Sequence, residues 1–254
     1  MIPREYLMHQ FRFISASGGI MAHYAIILAG GTGSRMGLSI PKQFAMICGE
    51  PCISHTIRVF DTNPAIEGII LVSHPNHINE IASIAGRGHN RIRAIVPGGE
   101  TRQESSYRGI NAMNFSANDI LLIHDSARPF VSKSIIDAVI AGAMERGAAL
   151  PAIQPADTVF VRKGVNDIGG TLDRTNLLCA QTPQGFRASV IQEAHRVARE
   201  NGASDATDDI SLVIKNGIDP LVVEGSEMNI KITTPKDLAC ADSLLTCFLE
   251  SNPL

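Results

Sequence analysis

The sequence predicts an α/β protein built on a mostly parallel sheet with helices on both faces, and three observations carry that prediction. Short apolar runs bounded by turn residues recur along the chain: "YAIILAG", "GIILVSH", "IRAIVPGG", "DILLIHDSARP", "GAALPAI" and "PLVVEG". Amphipathic stretches such as "SIIDAVIAGAMERG" and "SVIQEAHRVARENG" lie between several of them, each ending in the glycine that a helix C-terminus prefers. Strand and helix alternate on the scale of parallel crossover units, and ligands of such sheets bind at the carboxyl ends of the strands.

At 254 residues the chain is long enough for one large α/β domain, expected over 21–254. A net charge of -3 provides no global basic field, so no nucleic-acid partner is expected and any phosphate site must be local. No apolar run approaches bilayer length, so the reading is a soluble protein with no membrane partner. The opening segment lacks the continuous apolar stretch of a secretory signal. The first strand begins only after Met21, which makes Met21 an alternative start and residues 1–20 a dispensable extension. Five cysteines without a CxxC pair read as reduced thiols in the cytoplasm. Cys48 and Cys52 are separated by Gly49 and Pro51, which argues for a turn, and "HPNH" (His74 to His77) reads as a polar loop.

After the first apolar run comes "LAGGTGSRMGLSIPKQF", Leu28 to Phe44. A glycine-bare backbone between strand and helix offers free N–H groups to an anion. The loop is not a P-loop, because GxxxxGK[ST] is absent, nor a dinucleotide fingerprint, because Met36 stands where the third glycine after Gly31 and Gly33 belongs. Arg35 and Lys42 flank the place where phosphates would lie. Attack on the α-phosphate of a nucleoside triphosphate builds negative charge that fixed cations stabilise. The bland alternative is a solvated loop with two surface charges.

In "DILLIHDSARP", Asp125 stands at a strand's carboxyl end, where a carboxylate faces the ligand crevice and can hold Mg²⁺ together with substrate phosphates. The bland alternative is a cap on the following turn. His124 points to the opposite strand face, toward the core. The segment Asp157 to Arg174 has strand-like residues and two turn signals but no helical face, and is expected to form a β-hairpin arm that needs a partner, hence a dimer. Arg174 lies at the foot of that arm within "LDRTNLLCAQTPQGF", with Thr182 in a loop. In "SDATDDISLV", Asp208 and Asp209 read as acids at a helix N-terminus. In "VEGSEMNIKITTPKDL", alternation places Ile230 and Ile232 on one side of a strand and Lys231 on the other, toward a substrate phosphate or toward water.

These clusters, in this order from about Tyr24 to Leu245, resemble the cytidylyltransferases of the 2-C-methyl-D-erythritol 4-phosphate branch of isoprenoid synthesis and their relatives acting on ribitol 5-phosphate. The resemblance implies a Rossmann-like nucleotidyltransferase fold, CTP and a sugar-alcohol phosphate as substrates, Mg²⁺, and a homodimer with interlocked β-arms. It places the catalytic roles on Arg35, Lys42, Arg174 and Lys231. CTP is implied to lie against Ala29, Gly30, Gly31 and Gly33, against Gly99, Glu100 and Ser105 of "GGETRQES", and against Ser126. The sugar phosphate is implied to meet Asp125, Thr158, Arg174, Thr182, Thr207 and Lys231, with Asp125 also the metal ligand and Arg174 reaching the neighbouring subunit.

"LAGG" and "NIKITTP" are similar to the ribitol-phosphate relatives, whereas "LDRTNLLCAQTPQGF", "TDDISLV" and "VEGSEMNIK" are similar to the methylerythritol-phosphate enzymes and lie nearer the expected sugar-phosphate pocket. Glu100 stands where the latter commonly carry Asp, and Met228 where some carry an acid. A reading from another class is a nucleotide-binding regulatory or scaffold protein without turnover; such a binder has no need for charges on both sides of the α-phosphate.

Overall fold

The computed structural model describes residues 21–31 and 40–252. Its strands are β1 (His23–Ala29), β2 (Met46–Ile47), β3 (Glu50–Pro51), β4 (Gly68–Ser73), β5 (Ile92–Pro97), β6 (Ile120–Asp125), β7 (Ala148–Ile153), β8 (Val159–Arg162), β9 (Ile168–Leu172), β10 (Cys179–Ala180), β11 (Gln184–Arg187) and β12 (Leu221–Glu224). The helices are α1 (Cys52–Thr62), α2 (Ile78–Ala85), α3 (Arg102–Ile110), α4 (Lys133–Arg146), α5 (Ala188–Glu200), α6 (Ile210–Lys215) and α7 (Pro235–Ser251).

All six apolar runs singled out in the sequence are strands of one sheet, ordered β10-β7-β11-β6-β1-β4-β5, with β12 also paired to β7. The pairs β1–β4, β1–β6, β4–β5 and β7–β12 are parallel. Strand alternation sorts the core into two layers. Ala25, Ile27, Ile69, Leu71 and Leu122 pack on one face with Ile57 and Phe60 of α1 and Ile136 of α4. Ile26, Ile70, Val72, Leu121 and Ile123 pack on the other with Ile110 of α3, Ile191 of α5 and Val213 of α6. Because successive side chains point to opposite faces, a run that is apolar throughout is what a sheet covered on both sides requires.

Helix α4 ends where Gly147, at φ 84, takes the left-handed conformation that a side chain would oppose. The Cys48–Gly49 turn between β2 and β3 has positive φ at both residues, in keeping with the turn read from Gly49 and Pro51.

The pattern did not reveal β11, which runs antiparallel between β6 and β7. Its four residues, "QGFR", are too short and too mixed to show a period. The expected arm is present as the antiparallel pair β8–β9, which bonds to no other strand among the described residues. Phe160, Val161, Val165, Ile168 and Leu172 are exposed on it. Residues 1–20, on which the expectation of a dispensable extension falls, lie outside the described residues.

Candidate active site

From β1 the chain builds outward to β4 and β5, then returns to place β6 on the other side of β1. The crevice outside the carboxyl ends of the strands at such a reversal is where open α/β sheets bind ligands. A cleft of about 570 Å³ opens there, with Gly30 and Gly31 after β1, Lys42, Gly99 to Arg102, Ser105, Asp125 to Ala127, Thr207 and Lys231 in its walls. Leu28 is level with Asp125 across the β1–β6 pair, so the glycine loop and the carboxylate emerge at the same end.

Asp125 is buried. Lys231 Nζ lies 2.7 Å from its Oδ2, Arg128 Nε 3.7 Å from the same oxygen, and Arg102 Nε 3.8 Å from Oδ1. Burial alone would raise its pKa, but the charges of Lys231 and Arg102 outweigh it and hold the carboxyl well below the usual carboxylate range. Behind it, His124 is fully buried, as the strand alternation predicts, and its ring packs on Phe60 with centroids 5.0 Å apart. Burial pushes the His124 pKa down to about 4. The neutral ring then donates from Nε2 to the Arg128 carbonyl at 3.0 Å and accepts at Nδ1 from the Thr182 hydroxyl at 3.0 Å. The same Thr182 oxygen accepts the Asp125 backbone N–H at 3.2 Å.

The segment carrying Lys231 is not the strand expected from its alternation. Among the described residues it makes no ladder; its Ile232 N–H donates to the Ala127 carbonyl at 2.8 Å. The alternation nevertheless has a physical cause. Ile232 and Ile230 pack with Ala127, Phe130 and Phe248, and Lys231 between them turns to the cleft. Arg128 Nη1 donates to the Asn229 carbonyl at 2.6 Å, tying this segment to the loop after β6.

Asp208 and Asp209 divide the role assigned to both. Asp208 caps α6 by accepting the Ser211 N–H at 3.0 Å. Asp209 is a buried hub: it accepts from Arg102 Nη1 at 2.6 Å, Ser106 Oγ at 2.6 Å and His195 Nε2 at 2.9 Å. Burial would raise its pKa; the Arg102 charge and the His195 hydrogen bond lower it instead. Sequence reasoning missed Arg102, Arg128 and this hub, because a buried carboxylate is identified by partners that come from distant segments. The one sequence signal was Arg102 itself, a cation beside the "GGE" turn.

Thr101 caps α3 by accepting the Glu104 N–H at 3.1 Å, which delivers Arg102 and Ser105 to the cleft. Ser105 Oγ accepts the Gly99 N–H at 3.1 Å. A side chain at Gly99 would collide with Glu104, its Cβ falling 1.9 Å from Glu104 Cγ, so the tight turn there demands glycine. Ser126 is held from both sides: its N–H donates to the Leu28 carbonyl at 3.1 Å, and its own carbonyl accepts from Thr56 Oγ1 at 2.9 Å and Cys52 Sγ at 3.7 Å.

Of the residues singled out in the sequence, Gly30, Gly31, Lys42, Gly99, Glu100, Ser105, Asp125, Ser126, Thr207 and Lys231 share this cleft. Ala29 is buried just behind it, its carbonyl taken by Gln43 Nε2 at 2.9 Å. Thr182 is buried behind Asp125 with its hydroxyl engaged as above, so within this chain it supports the carboxylate and is not in the cleft wall. Thr158 and Arg174 are exposed at the foot of the arm, away from the cleft, and Arg174 Nη1 donates to the Ala156 carbonyl at 2.8 Å. Gly33 and Arg35 fall outside the described residues.

The donor set suits Mg²⁺ only in the company of phosphate. Asp125 lines the cleft, and its Oδ1 stands 3.8 Å from Arg102 Nε, beyond hydrogen-bond distance. No group of three or more His, Cys, Asp or Glu side chains among the described residues is placed to hold a metal by itself. Such a site draws its remaining ligands from phosphate and water, the usual manner for Mg²⁺.

The family model described as "IspD: 2-C-methyl-D-erythritol 4-phosphate cytidylyltransferase" matches residues 23–247. A protein of that name from Geobacillus kaustophilus is 39% identical over 226 residues, covering 89% of this chain and 97% of the relative. The "Bifunctional enzyme IspD/IspF" of Desulforudis audaxviator is 42% identical over 223 residues, 87% of this chain; the chain spans only 56% of that relative's length. The crystal structure of the Francisella tularensis 2-C-methyl-D-erythritol 4-phosphate cytidylyltransferase superposes with a TM-score of 0.75 at 32% identity, covering 88% of this chain and 99% of that one. With the nucleotidyltransferase fold, the cleft at the strand reversal and a sequence match across nearly all of both, the chain belongs to the 2-C-methyl-D-erythritol 4-phosphate cytidylyltransferase family.

Proposed function

We propose that the protein transfers a cytidylyl group from CTP to 2-C-methyl-D-erythritol 4-phosphate, releasing pyrophosphate and 4-diphosphocytidyl-2-C-methyl-D-erythritol. The observation that carries this reading is the meeting of Lys42 and Lys231 with Asp125 in one glycine-walled cleft at the strand reversal. The relatives described above are named for methylerythritol phosphate, which favours that acceptor over ribitol 5-phosphate.

The acceptor phosphate is already anionic at neutral pH, so its oxygen attacks the α-phosphorus without a general base. One P–O bond forms to the acceptor as the bond to the departing pyrophosphate breaks, and no proton moves. Lys42 faces the triphosphate and, with Arg35 of the same loop, balances the charge that grows on the α-phosphate and the leaving group. Lys231, held by Asp125, orients the acceptor phosphate in line. The Gly99 turn and Ser105 sit where a pyrimidine fits against backbone groups. Mg²⁺, held by Asp125 and the nucleotide's phosphates, would add further neutralisation of the triphosphate.

Arg174 and Thr158 are read as serving the site of a second copy, through the exposed β8–β9 arm, in a cytoplasmic homodimer. Two strands alone are marginally stable in water, and this pair exposes an apolar surface that a partner arm would cover. Among the described residues no helix is long and apolar enough to cross a membrane.

The test is pyrophosphate release by the purified protein with CTP and Mg²⁺, offering methylerythritol 4-phosphate and ribitol 5-phosphate side by side. Release with the first is expected. Preference for the second would overturn the acceptor, and release with neither would leave a nucleotide binder.

A further inference from the structure

Arg102 is a second cation on the Asp125 side of the cleft that no role above uses. Its guanidinium carries five N–H donors, yet among the described residues Nη1 makes its only hydrogen bond, to Asp209. Nε stands 3.8 Å from Asp125 Oδ1, beyond hydrogen-bond reach, and Nη2 is buried with no acceptor. Leaving a buried charged donor without an acceptor is costly. Burial would lower the Arg102 pKa, but the charges of Asp209 and Asp125 raise it, so the group stays cationic. Lys231, Arg128 and Arg102 outnumber the two buried carboxylates, Asp125 and Asp209, that they pair with.

Asp209 fixes where that cation sits. Ser106 comes from the same helix as Arg102, and His195 from α5, so the carboxylate is clamped from two helices. The Asp209 backbone N–H is bonded in turn to Gln184 Oε1 at 3.1 Å, which links the clamp to β11. An arginine held by one of its two Nη groups keeps the rest of its fork in a set orientation.

Resting on the cytidylyltransferase reading, we infer that Arg102 is a further substrate-binding residue. Its Nε, which stands on the Asp125 side and is not sealed off as Nη2 is, takes a phosphate oxygen of the nucleotide or of the acceptor, and Asp209 is the positioning residue that aims it.

The test uses Arg102→Gln, Arg102→Lys and Asp209→Asn in the full chain, with CTP affinity measured by calorimetry without acceptor, and KM and kcat measured for methylerythritol 4-phosphate. If the oxygen is the nucleotide's, Arg102→Gln weakens CTP at least about tenfold; if it is the acceptor's, CTP affinity holds and the acceptor KM rises by at least that factor. Arg102→Lys recovers part of the loss. Asp209→Asn weakens the same ligand in the wild-type background and adds nothing in Arg102→Gln, since it acts through that side chain. Unchanged affinity for both ligands in a folded Arg102→Gln protein overturns the assignment. Equal losses from Asp209→Asn in both backgrounds reduce Asp209 to a structural role. Should Asp209→Asn fail to fold, the Arg102 pair decides the binding role alone. Wild-type protein that binds CTP but releases no pyrophosphate removes the functional reading while the calorimetric comparison still decides this one.

Discussion

Lys231 Nζ and Asp125 Oδ2 are 2.7 Å apart at the mouth of the cleft, one from an extended segment before α7 and the other from the end of β6. In the proposed reaction the pair is half of a charge exchange: an arriving phosphate would share Lys231 with the carboxylate, and a cation brought with that phosphate would take up the carboxylate's charge. Lys231→Met keeps the length of the side chain and removes the ammonium. Turnover is expected to fall by roughly a hundredfold or more, with the loss larger than any change in CTP affinity. Steady-state pyrophosphate release together with CTP calorimetry checks this; a kcat within a few-fold of wild type would free Lys231 from the reaction.

Lys42 makes the companion case from the nucleotide side. It sits in a short 3-10 turn spanning Lys42–Phe44, whose middle residue, Gln43, is buried and bonded to Ala29. Gln43 therefore anchors the turn. Lys42→Ala is expected to melt close to the wild type while losing roughly a hundredfold or more in turnover. A large drop in melting temperature would mean that Lys42 holds the loop as well as the substrate.

The strands and the crevice were legible in the sequence because the central runs β1, β4, β6 and β7 are covered on both faces, and because Asp125 and the glycine loop end neighbouring parallel strands. Lys42 and Lys231 were legible as cations where a core would not place them. Asp209 was not, since its sequence context is that of an ordinary helix N-terminus; only the arrival of Arg102, Ser106 and His195 from two other helices reveals a buried hub. The position of Thr182 behind Asp125 was not legible either. Its hydroxyl is consumed by His124 and the Asp125 backbone, a geometry set by the antiparallel entry of β11 that four mixed residues do not announce.

Acid stability should show two windows. For His124 the folded pKa is lowered to about 4, against a usual value near 6.5. Below about 6.5 the unfolded chain takes up a proton that the folded ring refuses, so stability falls from there down to pH 4, by roughly 3 kcal/mol in all. Asp125 acts lower. Its folded pKa is depressed, so its contribution is full above about 3.9, the unfolded value, and is lost as pH falls further. His124→Gln should lessen the fall in melting temperature between pH 6.5 and 4, the remainder coming from groups such as the buried His23, whose pKa burial also lowers, and leave the lower window in place. An unchanged slope in that upper range would show that the His124 ring takes a proton in the folded state.

Thr182→Val tests the support beneath the carboxylate. The change preserves shape but leaves His124 Nδ1 and the Asp125 N–H without their shared partner, both in a buried setting. A loss of about 1–3 kcal/mol in unfolding free energy is expected, and kcat should fall because Asp125 is no longer held. A variant with lowered stability but wild-type kcat would separate the fold from the site and restrict Thr182 to the former.

The arm provides the test that one chain alone cannot answer. Arg174 and Thr158 lie at the foot of β8–β9, outside the cleft that holds Lys42. If the arms of two copies exchange, each site combines Lys42 of one subunit with Arg174 of the other. Arg174→Ala and Lys42→Ala proteins are each expected to be nearly inactive. After mixing under conditions that allow subunits to exchange, the heterodimer holds one site that lacks both groups and one that is intact. At equal amounts, half the dimers are mixed and half of their sites are whole, so recovery should approach about one quarter of wild-type activity. Arg174→Ala mixed with itself supplies the baseline, and light scattering reports whether dimers form. Recovery near one quarter supports sites built across subunits. Dimers that exchange freely yet recover nothing would place Arg174 in its own chain's site, reached by a movement of the arm.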